Sequence, residues 1–314
     1  MKGILDEQMD KWNACVLVPT YNNARFLSAV LDDIERYTSA IIVVNDGSTD
    51  DTAAVLTRYT RLVAVVDCPV NRGKGCALSK GFDKAVALGY SRVITMDSDG
   101  QHVADDLPRF LDALEATPGA MIVGSRCLKQ EHVPAENVFA NRFSNFWFTI
   151  ETGRRLPDTQ TGFRLYPLEE MKGDRPFSSR YEAELELLVR AAWRAIPLVP
   201  IPVHARYLPA GERVTHFRSG MDFVRLSLMN TCLVIAAIFY GYPSLLLHAL
   251  SRRGKKSDPG ETHGKKEQPR WKKLLNRMKR GASPSLKIET FAKRHAPFSS
   301  DFATKLLVYH PSTP

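Results

Sequence analysis

The sequence predicts an α/β fold in which helices cover both faces of a mostly parallel sheet. Over residues 1–130, apolar runs alternate with segments of helical spacing, and the connections between them are short. Parallel strands need crossover connections, which are usually helices, so this alternation is typical of a parallel sheet between two helical layers. The 314 residues, 44% of them hydrophobic, are enough for one domain of about 200 to 250 residues and an appendage.

Five apolar runs are predicted as buried strands, and four segments between them as helices. The strands are Cys15–Pro19, Ile41–Asn45, Leu62–Asp67, Val93–Met96 and Ala120–Gly124. The helices are Ala24–Tyr37, Thr49–Tyr59, Lys74–Leu88 and Asp105–Thr117. A later amphipathic helix is predicted over Tyr181–Ala195, with its apolar residues inward and its glutamates mostly in solvent. The inward residues are Leu185, Leu188, Val189 and Ala192, and the glutamates are Glu182, Glu184 and Glu186, of which Glu184 is also a site candidate.

Polar motifs follow three of the predicted strands at the point where each strand ends. The first strand ends in Pro19-Thr20-Tyr21-Asn22, the second in Asn45-Asp46-Gly47-Ser48-Thr49-Asp50, and the fourth in Asp97-Ser98-Asp99. Ligands of open parallel sheets bind at the carboxyl ends of the strands. The three motifs therefore predict one binding site at this edge of the sheet.

The pair Asp97 and Asp99 is the strongest single indication of chemistry. Side chains at positions i and i+2 of an extended segment point to the same side, so both carboxylates can hold one hard cation, which in turn binds a diphosphate. The alternative is an ordinary turn, because Asp, Ser and Gly are common turn residues. The neighbouring strand-end motifs favour the metal site.

The run Asn71-Arg72-Gly73-Lys74-Gly75 comes just before a predicted helix. Its glycines and cations favour an anion at the helix N-terminus, where backbone amides point at the ligand. The alternative is an ordinary glycine-rich helix start with solvated cations. The Gly-x-x-x-x-Gly-Lys pattern of a Walker loop is absent.

A polar turn followed by a short strand is predicted over Leu156–Pro167, and it presents Asp158, Gln160 and Thr161 at the sheet edge. A hydroxyl acceptor needs a base, and Asp158 is the candidate. A phosphate acceptor needs cations instead. The candidate cations are Arg126, Arg142 and Arg164. The alternatives are a turn cap for Asp158 and a surface ion pair for Arg164.

Five motifs in this order and spacing resemble the family 2 glycosyltransferases of the GT-A fold, especially the polyprenyl-phosphate branch that includes dolichol-phosphate-mannose synthases. The motifs are VPTYNN, VVNDGSTDDT, NRGKGCALSKGF, MDSDGQH and DTQTGFRLYP, and the resemblance covers about residues 13–225. The first motif often carries an acidic residue after its Asn, where this chain has Asn23.

The resemblance implies a role for individual residues. Asp46 is expected at the nucleotide base or ribose, and Arg126 at the diphosphate or at an acceptor phosphate. Asp97, Asp99 and Gln101 are expected to hold Mg²⁺ or Mn²⁺, which stabilises the leaving diphosphate as a Lewis acid. The donor-binding residues expected from the motifs are Pro19, Tyr21, Asn22, Asp46, Gly73, Lys74, Asp97, Ser98 and Asp99, and the catalytic ones are Asp158, Arg126 and Arg164. In the loop Tyr207–Phe217, Arg213 and His216 match basic positions near the phosphates.

Composition and charge limit where the protein works. The five cysteines are scattered and mostly lie in apolar runs, which favours reduced thiols and a cytosolic environment, and the N-terminus lacks the apolar run of a signal peptide. Residues 251–314 contain 16 of the 43 Lys and Arg but only 5 of the 34 Asp and Glu. The basicity therefore belongs to a tail.

The segment Leu226–Leu250 is apolar and long enough to contact a bilayer, but Gly241-Tyr242-Pro243 interrupts it. If it spanned once, the basic cluster at 252–256 would stay in the cytosol and the preceding domain would lie outside, away from nucleotide sugars. We therefore expect a kinked re-entrant or interfacial hairpin. The alternative is a buried core helix of a soluble domain.

In the tail, residues 251–268 have a disorder-type composition, and Trp271, Leu274, Leu275 and Met278 lie on one face of a short basic amphipathic helix suited to an anionic leaflet. No recognised nucleic-acid-binding fold or aromatic stacking pattern accompanies the charge, so no nucleic-acid partner is expected. The predicted domains are a GT-A catalytic domain over 1–220, a membrane-associated helical hairpin over 221–250 and a basic tail over 251–314.

Together these patterns predict a metal-dependent, inverting glycosyltransferase at the cytosolic face of a membrane, which moves a sugar from a UDP- or GDP-sugar to a lipid-linked acceptor, polyprenyl phosphate first. Two alternatives remain. One is transfer to a hydroxyl of a glycolipid or polysaccharide, and the other is a non-catalytic nucleotide-binding membrane adaptor.

Overall fold

A computed structural model describes residues 3–127, 135–174, 176–206 and 219–254. The strands are β1 (Ala14–Thr20), β2 (Ile41–Asn45), β3 (Ala64–Asp67), β4 (Arg92–Thr95), β5 (Met121–Arg126), β6 (Arg164–Pro167) and β7 (Leu198–Val203). The helices are α1 (Asp6–Lys11), α2 (Ala24–Glu35), α3 (Thr52–Leu56), α4 (Lys74–Ala87), α5 (Leu107–Ala116), α6 (Ala135–Thr152), α7 (Glu182–Trp193), α8 (Ser219–Ala236) and α9 (Tyr242–Gly254). A 3₁₀ turn, Ala104–Asp106, precedes α5, and a π-helical turn, Ala237–Gly241, joins α8 to α9.

The strands form one seven-stranded sheet in the order β3-β2-β1-β4-β6-β5-β7. Its pairs are parallel except those that β6 makes with β4 and β5. The α/β fold with a mostly parallel sheet is confirmed. All five strands predicted in the first half are present, with ends shifted by a few residues, whereas the helix predicted over Thr49–Tyr59 is only Thr52–Leu56.

The antiparallel direction of β6 brings a loop to the ligand-binding edge of the sheet. Because β6 runs against its neighbours, its first residue, Arg164, pairs with Thr95 of β4 and with Val123 of β5. The amino end of β6 therefore lies beside the carboxyl ends of β4 and β5. The polar turn that precedes β6 thus lies at the same edge as Asp97.

The core has a layer on each face of the sheet, as the alternation of strand side chains requires. In β1, Val16 and Val18 pack in the layer under α2 and α5, whereas Cys15 and Leu17 pack in the layer under α4. At Gly81 of α4 a Cβ atom would overlap the methyl groups of Leu17, so only glycine allows α4 to lie this close to β1. All five cysteines are free, as predicted.

The glutamates of α7 differ from the prediction. Glu184 and Glu186 are buried, not solvated. Glu186 accepts hydrogen bonds from the Phe177 and Ser178 amides and from the Ser178 hydroxyl, and it pairs with Arg190 at 3.0 Å. A buried carboxylate needs such partners, because leaving it unpaired would be costly. The hydrogen bonds to Glu186 therefore fix the loop before α7.

The apolar C-terminal segment is a continuous helix, so the predicted hairpin is wrong. Residues 219–254 run through α8, the π-helical turn and α9 without reversing direction. A stripe of Asn230, Leu233, Ala237 and Gly241 is buried, and Leu233 and Ala237 pack in the same hydrophobic cluster as residues of α6 and α7. Over Val224–Ser251 the helix is long and apolar enough to cross a membrane.

The last turn of α6 holds an unpaired acid. Glu151 is fully buried, neither of its carboxyl oxygens has a hydrogen-bond partner, and burial raises its pKa to about 8. The folded protein therefore keeps Glu151 protonated at neutral pH, whereas the unfolded chain ionises it near pH 4.3. Folding stability should fall with rising pH between these two values.

We expect Glu151→Gln to stabilise the protein at alkaline pH. The neutral amide has no proton to lose. At pH 8.5 the variant should therefore have a higher unfolding temperature than the wild type, and a free energy of unfolding that is higher by at least about 1 kcal/mol. At pH 5 the two unfolding temperatures should be similar. Thermal unfolding across pH 5–9 measures both. Glu169→Gln, at an exposed position, is the control. Parallel pH profiles of wild type and Glu151→Gln would contradict the expectation.

Candidate active site

The strand ends enclose one side of a cavity of about 470 Å³. Its polar lining residues include Lys74, Asp97, Gln101, Arg126 and Glu184. Its apolar lining residues include Phe139 and Phe143 of α6, Leu185 of α7 and Leu226 of α8. The structure thus combines a charged wall from the sheet with an aromatic and aliphatic wall from the helices.

The Lys74 ammonium lies between two carboxylates in the charged wall. Its Nζ is 2.7 Å from Oδ1 of Asp97 and 2.8 Å from Oε2 of Glu184. Burial alone would lower the pKa of Lys74, but the charges of the two carboxylates outweigh burial and raise it. Likewise, burial alone would raise the pKa of Asp97, but Lys74 holds it below its usual value. Lys74 and Asp97 are therefore both charged at neutral pH.

Glycine at position 162 leaves room for the Lys74–Asp97 pair. A Cβ atom there would lie 2.5 Å from Oδ2 of Asp97 and 2.7 Å from Nζ of Lys74. The backbone of Gly162 is fixed in turn by Thr95, whose hydroxyl donates to the Gly162 carbonyl at 2.6 Å. The turn before β6 is thus built to approach the Lys74–Asp97 pair closely.

Asp99 completes an excess of negative charge. Burial, followed by the neighbouring Asp97 charge, raises the pKa of Asp99 to about 6, and its Oδ1 accepts a hydrogen bond from the Gln101 amide. One ammonium therefore faces three carboxylates. A divalent cation would relieve this repulsion, and the oxygens of Asp97, Asp99 and Gln101 are a hard donor set that suits Mg²⁺ or Mn²⁺.

The acidic pair is not a complete protein cage for a metal. Among the described residues no group of three or more His, Cys, Asp and Glu could hold an ion. This agrees with the coordination of Mg²⁺, which uses one or two carboxylates and completes its shell with water and substrate phosphates.

The start of α4 differs from the anion cradle that its glycines predict. The Gly73 amide donates to Asp46 at 2.7 Å, the Arg72 amide also donates to Asp46, and the Cys76 amide donates to the Ser179 carbonyl. Three of the expected amide donors thus already have protein acceptors. In this part of the site the charge comes from the Lys74 side chain, and Asp46 fixes the loop that carries it.

The ends of β1, β2 and β4 are joined by side-chain amides. The side-chain oxygen of Asn22 accepts a hydrogen bond from the backbone amide of Thr49 at 2.7 Å. The backbone amide of Asn22 donates to the Ser48 hydroxyl at 2.9 Å. Asn23 donates from Nδ2 to both the carbonyl and the hydroxyl oxygen of Ser98. Asn23, where the family often has an acid, therefore holds the Asp97–Asp99 turn in place, next to Pro19 and Tyr21 on β1 and its following loop.

Asp158 does not have the surroundings of a general base. It is fully buried and accepts from Nε of Arg126 at 2.7 Å, from Nη2 of Arg126 at 3.1 Å and from Nδ2 of Asn141 at 2.7 Å, as well as from the amides of Arg126, Gln160 and Thr161. Burial favours a raised pKa, but the Arg126 hydrogen bonds and charge outweigh it and lower the pKa of Asp158. Asp158 is thus the buried counter-ion of Arg126 and orients its guanidinium at the cavity wall.

Arg164 also differs from its prediction. It was predicted as a cation for an acceptor phosphate, with a surface ion pair as the alternative. It lines the cavity but is fully buried, and its Nε, Nη1 and Nη2 atoms donate to the carbonyls of Thr161, Glu184 and Thr159 at 2.6–2.8 Å. These bonds tie the turn before β6 to α7. Arg164 therefore positions the loop and α7, and its three bonded nitrogens serve the backbone rather than a phosphate.

The remaining predicted basic residues are not among the described residues that line the cavity. Arg142 is exposed and is not a lining residue of the cavity. Arg213, His216 and the amphipathic segment near 270–280 lie outside the described residues.

Glu184 was predicted mainly as a solvated residue and only secondarily for the site, and Phe139, Phe143 and His102 were not predicted as lining residues. The sequence carries a signal for some of them. Glu184 lies one helical turn before Leu188, on the face predicted to be inward, and this placement indicates burial. Phe139 and Phe143 are four residues apart in α6 and therefore lie on one face of the helix. His102 lines the cavity and is buried, which lowers its pKa and keeps it neutral.

Comparisons with known proteins agree with this geometry. The family described as Glycosyl transferase family 2 matches residues 15–166. Human dolichyl-phosphate beta-glucosyltransferase is 30% identical over 251 residues, covering 68% of this chain and 75% of that protein. Polyprenol monophosphomannose synthase of Mycolicibacterium smegmatis is 29% identical over 201 residues, covering 60% of this chain and 75% of that protein.

Among solved structures, glucosyl-3-phosphoglycerate synthase of Mycobacterium tuberculosis in complex with uridine diphosphate has a similar fold. The TM-score is 0.54 at 21% identity, and the match covers 74% of this chain and 82% of that chain.

We expect Asp158→Asn to destabilise the fold by about 3 kcal/mol at pH 7, because it leaves the Arg126 guanidinium without its buried counter-ion. The Asp158 pKa is lowered in the folded state, so its contribution is complete above the ordinary pKa near 3.9 and is lost as pH falls through the lowered value. The difference in the free energy of unfolding between the wild type and Asp158→Asn should thus be constant over pH 5–7 and become smaller below about pH 4.

Urea unfolding of both proteins at several pH values measures this difference, and Asp112→Asn, at an exposed position on α5, is the control. Equal stability of Asp158→Asn and wild type at pH 7 would show that the buried pair does not anchor Arg126.

Proposed function

The chain belongs to glycosyltransferase family 2, in the branch of polyprenyl- and dolichyl-phosphate sugar transferases, and from this we propose that it transfers a sugar from a nucleotide sugar to a polyprenyl phosphate. The membership confirms the resemblance seen in the five sequence motifs, and it favours an enzyme over the non-catalytic adaptor. The observation that carries the proposed acceptor is the cavity, which joins a charged wall suited to phosphates with an apolar wall suited to a lipid chain.

The donor diphosphate belongs at the carboxyl ends of β1, β2 and β4. Lys74 supplies a positive charge there, and Asp97, Asp99 and Gln101 would hold Mg²⁺ or Mn²⁺. Such an ion acts as a Lewis acid that stabilises the negative charge on the departing nucleoside diphosphate. If Asp97 binds the metal ion, Glu184 still holds the Lys74 ammonium at this position.

The acceptor is proposed to be a phosphate rather than a hydroxyl. A hydroxyl needs a base to take its proton, whereas a phosphate oxygen is already a nucleophile at neutral pH. Asp158, the residue expected to be that base, is occupied by Arg126 and by backbone amides. Arg126 lines the cavity, and a guanidinium is well suited to phosphate oxygens.

The apolar residues on α6 and on the helix 219–254 are proposed to contact the membrane. Large exposed apolar side chains there include Phe139, Phe146 and Ile150 on α6, and Leu228, Ile235, Ile238, Phe239, Leu246, Leu247 and Leu250 on the C-terminal helix. We call this set the apolar face. Both elements also line the cavity, through Phe143 and Leu226, so a lipid chain that leaves the cavity meets the apolar face.

The same arrangement argues for an orientation at the cytosolic side of the membrane. The buried stripe of the C-terminal helix packs with α6 and α7, so this helix lies along the catalytic domain. A helix that keeps one face on protein and offers the other to lipid lies in the interface, as in monotopic proteins. The catalytic domain and the basic residues after 251 can then both remain in the cytosol, where nucleotide sugars are.

We expect Asp99→Ala to lower donor turnover by about 100-fold or more, since it removes charge stabilisation of the leaving group. The measurement is Mn²⁺-dependent nucleotide release from a panel of UDP- and GDP-sugars, with a C55 polyprenyl phosphate as acceptor. Asp112→Ala, at an exposed site, is the matched control and should retain full activity. Equal turnover in wild type and Asp99→Ala would refute the metal assignment.

The same reactions distinguish the two acceptor classes. A sugar linked to polyprenyl phosphate is a phosphodiester and is released by mild acid, whereas a simple glycoside is resistant. Labelled lipid product that survives mild acid would overturn the phosphate acceptor and favour the glycolipid or polysaccharide alternative.

We expect charges on the apolar face to weaken membrane binding. Leu246→Glu combined with Leu247→Glu should lower co-sedimentation with phospholipid vesicles by about 10-fold or more, because each buried leucine contributes roughly 1.5 to 3 kcal/mol. Val86→Glu is the control, since Val86 on α4 is similarly exposed and is not part of the apolar face. If Val86→Glu weakens vesicle binding as much as the leucine pair does, the apolar face is not the membrane contact.

A further inference from the structure

The C-terminal helix packs on α6 and α7 along its buried stripe, and one junction in this stripe also has hydrogen bonds. It is formed by Trp193 at the end of α7 and Gly241 in the π-helical turn. The indole lies directly against the Gly241 backbone, and a Cβ atom at position 241 would overlap the five-membered ring. The indole Nε1 donates to the carbonyl of Glu151 on α6 at 2.8 Å. Trp193 thus connects three helices.

Two further hydrogen bonds close the same junction from the C-terminal helix. The Tyr242 hydroxyl donates to the carbonyl of Ile150, and the Ser244 hydroxyl donates to the carbonyl of Trp193 at 3.1 Å. Both acceptors are main-chain groups near the C-termini of α6 and α7, where helix carbonyls lack intrahelical partners. The junction therefore satisfies polar groups that apolar packing alone would leave unpaired.

The local sequence explains why the junction forms at this point of the helix. Pro243 has no N–H and cannot donate to the carbonyl four residues earlier, so a regular α-helix is disfavoured here. The π-helical turn Ala237–Gly241 accommodates the proline without ending the helix. Gly241 falls in this turn on the buried stripe, and the absence of a side chain gives the indole its place.

The junction and the cavity lie on the same helix. Leu226, which lines the cavity, precedes Gly241 by 15 residues, which correspond to roughly 22 Å along a helix. The residues of the apolar face lie between and beyond these two points. A helix that is fixed at Gly241 holds both the apolar face and the cavity wall at a set orientation to the sheet.

We propose that the Trp193–Gly241 junction is a positioning device that sets the angle between the cavity mouth and the membrane surface. It rests on the proposed function, since it matters only for an acceptor presented by a bilayer. Loosening the junction lets the apolar face bind the membrane while the cavity no longer meets the lipid phosphate at the right depth. An acceptor free in water reaches the cavity from any direction and does not depend on the junction.

The test compares two acceptors in the full-length protein. One is a C10 isoprenyl phosphate dissolved in water, and the other is a C55 polyprenyl phosphate embedded in phospholipid vesicles. Gly241→Ala places a methyl group against the indole, and Trp193→Phe removes the Nε1 donor and part of the ring. We expect each variant to keep kcat/KM for the soluble acceptor within about 2-fold and to lose about 10-fold or more for the embedded one, because a misplacement of about 1 Å can cost up to about 100-fold.

The double variant Gly241→Ala with Trp193→Phe provides a rescue, since the smaller ring leaves room for the methyl group. It should recover part of the embedded-acceptor activity that Gly241→Ala loses. Cys232→Ala, exposed on the same helix and outside the junction, is the control and should match the wild type with both acceptors. Vesicle co-sedimentation of each variant should equal that of the wild type.

The outcomes separate the two proposals. If both acceptors lose activity together in Gly241→Ala and Trp193→Phe, or if neither loses any, the junction is only a packing contact and the positioning role is wrong. If the wild type itself uses neither phosphate acceptor, the proposed function is wrong, and the positioning role falls with it.

Discussion

The position of a single ammonium group constrains the rest of this site. Lys74 starts α4, Asp97 follows β4 and Glu184 lies in α7, so the two ion pairs fix three elements at one point. Removing either carboxylate would leave a buried charge short of a partner, which is more costly than the pair is favourable. The packing around the triad agrees with this requirement, since a side chain at position 162 would displace the Lys74–Asp97 pair, and Gly162 has none.

The direction of β6 is the second constraint, and it explains how residues far apart in sequence share one cavity. Only an antiparallel strand between β4 and β5 starts at the edge where its neighbours end. The turn before it then reaches both sides of the site: Gly162 lies against the Lys74 triad, and Asp158 holds Arg126. The proposed donor and acceptor halves of the site are thus linked by one short loop.

What the sequence predicted correctly was local, and what it missed depended on tertiary contacts. The strand ends at Asp46 and Asp97 could be located because apolar runs and polar turns alternate along the chain. The partners of Asp158 and Glu184 could not, because Arg126 and Lys74 are distant in sequence and become neighbours only through the direction of β6 and the packing of α7. The hairpin was predicted because Gly241-Tyr242-Pro243 interrupts the apolar segment and because a single span would place the preceding domain outside the cytosol. In the structure a π-helical turn accommodates Pro243, and the helix continues.

The pairing of Arg126 with Asp158 also bears on product release. With the proposed acceptor, a phosphate monoester of charge about −1.5 to −2 becomes a phosphodiester with a single charge, so the enzyme must bind the acceptor more tightly than the product. An unpaired guanidinium buried in a low-dielectric cavity would attract both anions strongly. A guanidinium whose charge is balanced by a buried carboxylate still offers directed hydrogen bonds to a phosphate but attracts the anion less strongly. The loss of one phosphate charge on transfer then weakens the binding of the product, which can leave toward the apolar wall of the cavity.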